Sequence, residues 1–114
     1  TGVVAASDRV ALGVLDVLAR AGVAVPGEAS VVGYDDSALA QLEHVQLTSV
    51  SQDPGEQARR AVGAAVERLD GGRTRRREVV LQPRLVVRRT TGPAPAAPAG
   101  AAPDGRAEGG ASRS

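Results

Sequence analysis

The chain has 114 residues, room for one domain at most, and 42% of them are apolar although Phe, Trp, Met and Cys are absent. Without cysteine, neither a disulfide framework nor a thiolate metal site is possible. A net charge of +1 offers no global field for nucleic acid or membrane, and no apolar run approaches the ~18 residues that a membrane span needs.

The core must therefore be built from Val, Leu and Ala. All fourteen basic residues are arginine, and with so much Ala, Gly and Pro this reads as GC-rich coding rather than selection for phosphate binding. The chain starts at Thr1 and its first residues already read as a strand, which gives the expectation of a C-terminal piece of something longer. No signal peptide is visible, and a soluble, cytoplasmic protein is expected.

"TGVVAAS" is an apolar run of the kind that forms a fully buried strand. Ser7 or Asp8 then caps a helix, since a short oxygen-bearing side chain accepts the orphan N–H groups of the first turn. Within "DRVALGVLDVLARAG", Val10, Val14, Leu15, Leu18 and Ala21 fall at helical spacing, and Gly22 supplies a left-handed stop. "VAVPGEA" is a loop punctuated by Pro26 and Gly27, and "SVVGY" is the next strand. Strand, helix, loop and strand within about 35 residues make a βαβ unit and imply a parallel sheet. Ligands of such sheets sit beyond the carboxyl ends of the strands, where Ser7, Asp35 and Asp36 all emerge.

"SALAQLEHV" reads as a short helical turn and "QLTSVS" as a third strand of alternating character. "QDPGEQARRAVGAAVERLDGG" carries the clearest helix signal. Asp53 is placed at the N-cap, Pro54 at the first helical position and Glu56 as the reciprocal half of a capping box. Its expected buried stripe is Ala58, Val62, Ala65, Val66 and Leu69, and Gly71 and Gly72 end it. "EVVLQPRLVVRRTT" reads as two strand pieces broken at Pro83, which cannot donate to a ladder. From Gly92 onward a Pro/Ala/Gly-rich segment without large apolar residues is expected to be a disordered tail over 92–114.

Catalysis finds little support. His44 is the only histidine, and neither Ser7 with Asp8 nor Ser37 with Asp36 has a base close by in sequence. Asp35 and Asp36 are adjacent, so in extended chain they point in opposite directions instead of flanking a scissile bond. Too few hard ligands cluster for a metal site, and no cofactor is implied. Binding without chemistry suits the pair better. An ionised carboxylate accepts several hydrogen bonds, as two vicinal sugar hydroxyls or the N–H groups of a nucleobase would require. Against that stands the plainer possibility that both aspartates cap the turn after the strand, and the pattern alone leaves the two level. "RTRRR", Arg73 to Arg77, has no aromatic neighbour for base stacking and reads as a solvated loop that complements a helix C-terminus.

Taken in order, "AASDRVALGVLDVLARAGVAVPGEASVVGYDDSALA", "LTSVSQDPGEQARRAVGAAVERLDGG" and "VVLQPRLVVRRTT" resemble the C-terminal portion of the LacI/GalR family of bacterial transcription regulators. The resemblance covers Val3 to about Thr91, and the ordered set of motifs carries it more than any one of them. It implies an α/β fold, namely a parallel-sheet core like that of type I periplasmic binding proteins, here incomplete and followed by the tail. Family members bind a sugar-like or related small-molecule effector between two subdomains, act as homodimers, and read operator DNA through an N-terminal helix-turn-helix, which this chain lacks.

On that resemblance, residues 1–52 belong to the C-terminal effector-binding subdomain. Residues 53–83 contribute a helix and a strand to the N-terminal subdomain, and 84–91 return a strand. Asp35, Ser7 and Gln52 match effector-contacting positions, although serine stands where the family often has asparagine. Asp8, Asp36, Asp53 and Glu56 are assigned to capping and structure, and Gln52, Asp53 and Pro83 to the crossings between subdomains. The helix Val10 to Ala21 and the segment Ala40 to Leu47 resemble the dimer surface. Neither an enzyme nor a membrane partner is implied. A solute-binding protein of a sugar transporter is the competing reading, separable by whether a helix-turn-helix or a signal peptide precedes Thr1. The isolated chain is expected to expose sheet edges and apolar helix faces, and so to lack cooperative unfolding and measurable sugar affinity.

Overall fold

In the computed structural model, which describes residues 1–94, six elements follow one another. They are β1 (Gly2–Val4), α1 (Asp8–Arg20), β2 (Ser30–Tyr34), β3 (Thr48–Ser51), α2 (Pro54–Leu69) and β4 (Arg84–Val86). The four strands form one sheet in the order β1-β2-β3-β4. The first three run parallel, with Val4 opposite Val32 and Val32 opposite Thr48, while β4 pairs antiparallel with β3. The expected parallel α/β core is thus present, with β4 as its antiparallel edge.

Helix α1 begins at Ser7, whose Oγ accepts the Val10 N–H at 3.3 Å. It ends in a Schellman motif, in which Val23 N–H reaches Leu18 O at 2.9 Å and Gly22 N–H reaches Ala19 O at 3.1 Å. Gly22, at φ 73°, occupies the left-handed position that this motif demands. The buried face differs in phase from the one read off the sequence. Asp8 and Ala11 are buried and Leu15 and Leu18 are half-buried, whereas Val10 and Ala21 are exposed. The true stripe steps by three, four and three residues from Asp8, and so starts on a carboxylate.

The core is small-residue packing: Ala5, Ala11, Val31, Ala40 and Leu47 are buried, with Val14, Leu15, Leu18, Val25 and Val45 packed against them. Gly33 lets α1 come this close to the sheet. A Cβ there would collide with Asp8 Oδ1 and lie 2.8 Å from Leu47 Cδ2 and 3.3 Å from the Asp8 Cα. Between β2 and β3 the expected helical turn resolves into successive tight turns, with Ala40 N–H bonded to Ser37 O and Val45 N–H to Leu42 O. Strand β3 is buried at Thr48, Ser49 and Ser51 and does not alternate, as befits a strand covered on both faces.

Thr90 joins the two inner strands at their starts. Its Oγ1 accepts the Thr48 N–H at 2.9 Å and donates to Val31 O at 2.7 Å, and its own carbonyl accepts the Val31 N–H at 2.8 Å. The return segment therefore holds the sheet mainly through threonine, since β4 ends at Val86, short of the expected 84–91.

Beyond β3 the picture changes. Asp53 caps α2 by accepting the Glu56 N–H at 3.1 Å, with Pro54 opening the helix. The reciprocal half of the capping box is not made. The Glu56 carboxylate instead pairs with Arg60 at 2.6 Å and Arg59 at 2.9 Å, and these two guanidiniums, Arg60 foremost, hold its carboxyl below the usual value. Helix α2 contains no buried residue. Val62 is 63% and Leu69 82% exposed, so the stripe expected to be buried faces no partner among the described residues. Arg77 grips Glu67 through both carboxylate oxygens at 2.8 and 2.7 Å, and Arg73 donates to Ala64 O at 3.2 Å, folding the arginine-rich loop onto the helix.

The strand expected around Val79 and Val80 is not formed, and both residues are exposed. A strand exists only where a neighbour takes its N–H and C=O groups, and the described residues offer none at this point. The tail reading falls almost wholly on residues 95–114, which lie outside the described residues.

Two measurements check this division. Amide hydrogen exchange on the 114-residue chain should show Val31 and Val32 protected at least ~100-fold more than the amides of α2, because an isolated short helix is marginal in water. Equal and high protection in the two regions would mean that α2 is packed, and equal low protection that the sheet itself is open in the isolated chain. Gly33→Ala in the native polypeptide that carries this segment should cost about 2 kcal/mol in urea unfolding through overpacking, whereas an unchanged midpoint would place α1 farther from the sheet.

Candidate functional site

The register of the sheet sets the site. Val4, Val32 and Thr48 lie side by side on adjacent parallel strands. Three positions farther along each strand come Ser7, Asp35 and Ser51, with Gln52 next to the last. Ser7, Asp35 and Gln52 therefore emerge at the same carboxyl end of three neighbouring strands, the end where parallel sheets take ligands.

Asp35 is exposed on this rim, and its carboxylate has no hydrogen-bond or ion-pair partner among the described residues. The backbone beneath it is unusual. Asp35 has φ 107° and Asp36 φ 49°, two successive non-glycine residues in the left-handed half of conformational space. Ser7 is half-buried, with its hydroxyl engaged as the α1 cap. Gln52 is half-buried, and its backbone carbonyl accepts Gln57 Nε2 at 2.8 Å. With Tyr34, Gln57, Leu81 and Pro83 it lines a hollow of about 160 Å3 where the chain leaves and re-enters the sheet.

The adjacent aspartates do different things. Asp36 turns inward to Arg88 Nη2 at 2.6 Å, with side chains only 11% and 14% exposed, while Arg88 Nη1 donates to Leu47 O at 2.8 Å. Asp36 is thus a partner of the return segment and leaves Asp35 as the outward carboxylate.

Asp8 departs from its expected place. Ser7, not Asp8, is the cap, and Asp8 is 1% exposed. Its Oδ2 accepts both the N–H of Ser37 at 2.7 Å and the hydroxyl of Ser37 at 2.8 Å, and its Oδ1 accepts the Ser49 hydroxyl at 2.5 Å. Ser49 Oγ in turn accepts the Asp36 N–H at 3.0 Å. Sequence reasoning missed Ser49 and Arg88, and considered Ser37 only beside Asp36, not as a partner of Asp8. One signal was available: Asp8 shares the 8, 11, 15, 18 spacing with Ala11, Leu15 and Leu18, so a carboxylate headed an apolar stripe. Among the described residues no group of acidic or histidine side chains could hold a metal ion, and no helix is long and apolar enough to cross a membrane.

Residues 1–91 match the periplasmic binding protein-like domain. The chain belongs to that family. An HTH-type transcriptional regulator of Streptomyces limosus is 43% identical over 91 residues, covering 80% of this chain and 26% of its own length. The crystal structure of a LacI transcriptional regulator from a Rhodococcus species is 52% identical, with a TM-score of 0.76 over 82% of this chain and 34% of that one. A complex of the transcriptional regulator CelR with cellobiose is 38% identical, with a TM-score of 0.72 over 78% of this chain and 27% of that one. The likeness to LacI-type regulators expected from the motifs is therefore shown, and the chain spans about a quarter of the length of the Streptomyces limosus relative.

The ion pair behind the rim generates a stability prediction. Arg88→Met in the native polypeptide carrying this segment should lower its unfolding free energy by about 1–3 kcal/mol, because it leaves the largely covered Asp36 carboxylate without its partner. Urea denaturation reads this directly, and a loss near zero would show that Asp36 can reach water.

Proposed function

We propose that this chain is the effector-binding and dimerisation portion of a LacI-type transcriptional regulator acting in the cytoplasm, with a sugar or related polyhydroxylated metabolite as effector. One observation carries the reading: a single unpartnered carboxylate, Asp35, stands at the carboxyl end of a parallel sheet in line with Ser7 and Gln52, while its neighbour Asp36 is tied back to Arg88. A free carboxylate accepts from two adjacent hydroxyls at once, and such charge-assisted bonds are about twice as strong as neutral ones.

In this proposal a second lobe supplies the opposite wall of the cleft. The bare apolar face of α2, with Val62, Val66 and Leu69, packs into that lobe together with Val79 and Val80. The chain crosses between lobes at Gln52–Asp53 and at Pro83. A homodimer forms over the outer side of α1, where Val10 and Val17 are exposed. Beside it a groove of about 680 Å3 runs along Leu12, Leu15, Ala19, His44 and Val45. Operator DNA is contacted by a helix-turn-helix outside these residues, and effector binding acts by changing the orientation of the lobes.

Calorimetric titration of the native polypeptide with cellobiose, lactose, sucrose and ribose tests the reading. At least one should bind, and Asp35→Asn should weaken it by about 10- to 100-fold, as expected for losing a charged acceptor. Unchanged affinity in Asp35→Asn would remove Asp35 from the site.

A further inference from the structure

We infer that Ser49 and Asp8 together form a latch that positions the Asp35 carboxylate, with Ser49 as the residue that transmits the hold. The inference rests on the reading of Asp35 just given, and concerns residues that touch no ligand themselves.

The turn after β2 needs holding. Its first two residues, Asp35 and Asp36, both have positive φ without being glycine, a conformation that persists only where its surroundings over-determine it. Here every backbone N–H of residues 35 to 37 is committed. Asp35 N–H donates to Val50 O at 2.9 Å, Asp36 N–H to Ser49 Oγ at 3.0 Å, and Ser37 N–H to Asp8 Oδ2 at 2.7 Å. The last two bonds belong to one chain, because Ser49 Oγ passes its own hydrogen to Asp8 Oδ1. A fully buried serine hydroxyl thus accepts from the turn and donates to a fully buried carboxylate, which also takes the Ser37 hydroxyl.

Packing alone does not call for this chemistry. Ser49 lies in an inner strand, where an alanine or valine would fill parallel-sheet interior as well. Its hydroxyl does not enter the sheet ladder; it reaches the amide directly after Asp35. Releasing that amide frees Asp35 ψ and Asp36 φ, so the turn relaxes and no longer supports Asp35 at its own positive φ, the angle that sets where its side chain leaves the rim. Holding the turn beforehand removes an ordering cost from binding, so the latch acts on affinity as well as on the fold.

The test uses the native polypeptide carrying this segment and whichever of cellobiose, lactose, sucrose and ribose it binds. Ser49→Ala should weaken that sugar about tenfold, and Ser49→Thr, which keeps the hydroxyl, should return affinity to within about threefold of the wild type. Circular dichroism establishes that each variant is fully folded at the titration temperature. A lowered melting temperature with unchanged affinity in Ser49→Ala assigns the serine a purely structural role and overturns the proposal. Should Ser49→Ala not fold, Ser37→Ala removes one donor to Asp8 and keeps the backbone bond; a weakening of about threefold supports the latch and unchanged affinity overturns it.

If the wild type binds none of the four sugars, the functional reading fails and amide exchange decides the latch separately. Exchange at Asp36 and Ser37 that accelerates about tenfold in Ser49→Ala, with Val31 and Val32 unaffected, sustains it. Unchanged exchange overturns it.

Discussion

A carboxylate buried at the first position of α1 is the constraint on which the rest of the structure depends. Removing an ion from water costs several kcal/mol unless hydrogen bonds replace its hydration. Asp8 obtains that replacement from the Ser37 N–H, the Ser37 hydroxyl and the Ser49 hydroxyl. The positive end of the α1 dipole adds to it. Three segments far apart in sequence, the start of α1, the turn after β2 and the middle of β3, must consequently arrive together. Gly33 is part of the same requirement, since any side chain there would occupy the space taken by the Asp8 carboxylate and Leu47.

This polar centre matters more because the apolar core is modest. Three of its five buried members are alanines, and only Val31 and Leu47 contribute branched side chains. Alanine packing is permissive about register, because small side chains interlock weakly. Directional bonds supply what shape does not: Asp8 fixes the carboxyl end of the sheet, while Thr90 joins Val31 and Thr48 at the opposite end. Arg88, from the same return segment, reaches forward to Asp36 and Leu47 O. Residues 88 to 90 therefore bond both to the starts of the inner strands and to the aspartate turn.

How far the sequence could be read follows from where the information lies. The βαβ order, the Ser7–Asp8 start of α1, the Gly22 stop and the Asp53–Pro54 start of α2 are local signals, and each element formed where it was expected. The phase of α1 was misjudged because Val10 was counted as core and Asp8 as a cap, when charge and burial had exchanged places. The expected buried face of α2 and the strand at Val79 and Val80 find no neighbours among the described residues. At the rim, the exit of Ser7, Asp35 and Asp36 at one end of the sheet was read from parallel topology, whereas Gln52 came only from the resemblance. The division of labour between Asp35 and Asp36 could not be read there, because it is set by Arg88, 52 residues from Asp36. Nothing local in "GYDDS" announces that partner, and nothing in "LTSVS" distinguishes Ser49 from the serines around it.

The contrast between the two halves of the chain bears on how the proposed regulator would move. Ser51 is paired with Arg84 across the antiparallel β3–β4 ladder, so Gln52 leaves the sheet beside the point where Pro83 enters it. Everything from 53 to 83 thus hangs from two adjacent backbone crossings. Pro83 has no N–H to add to the ladder, and Asp53 sits in the left-handed region at φ 50°, so neither crossing extends the sheet across the boundary. In the proposed regulator a rotation at these two points would reorient α2 while leaving the sheet, the Asp8 centre and the aspartate turn intact. A ligand held at Asp35 on the fixed side and by a second lobe on the moving side would be sensitive to that angle. On the proposed arrangement a latched turn would keep the rim fixed while the arm turned, and an effector bridging the two would convert its own binding into a change of lobe orientation.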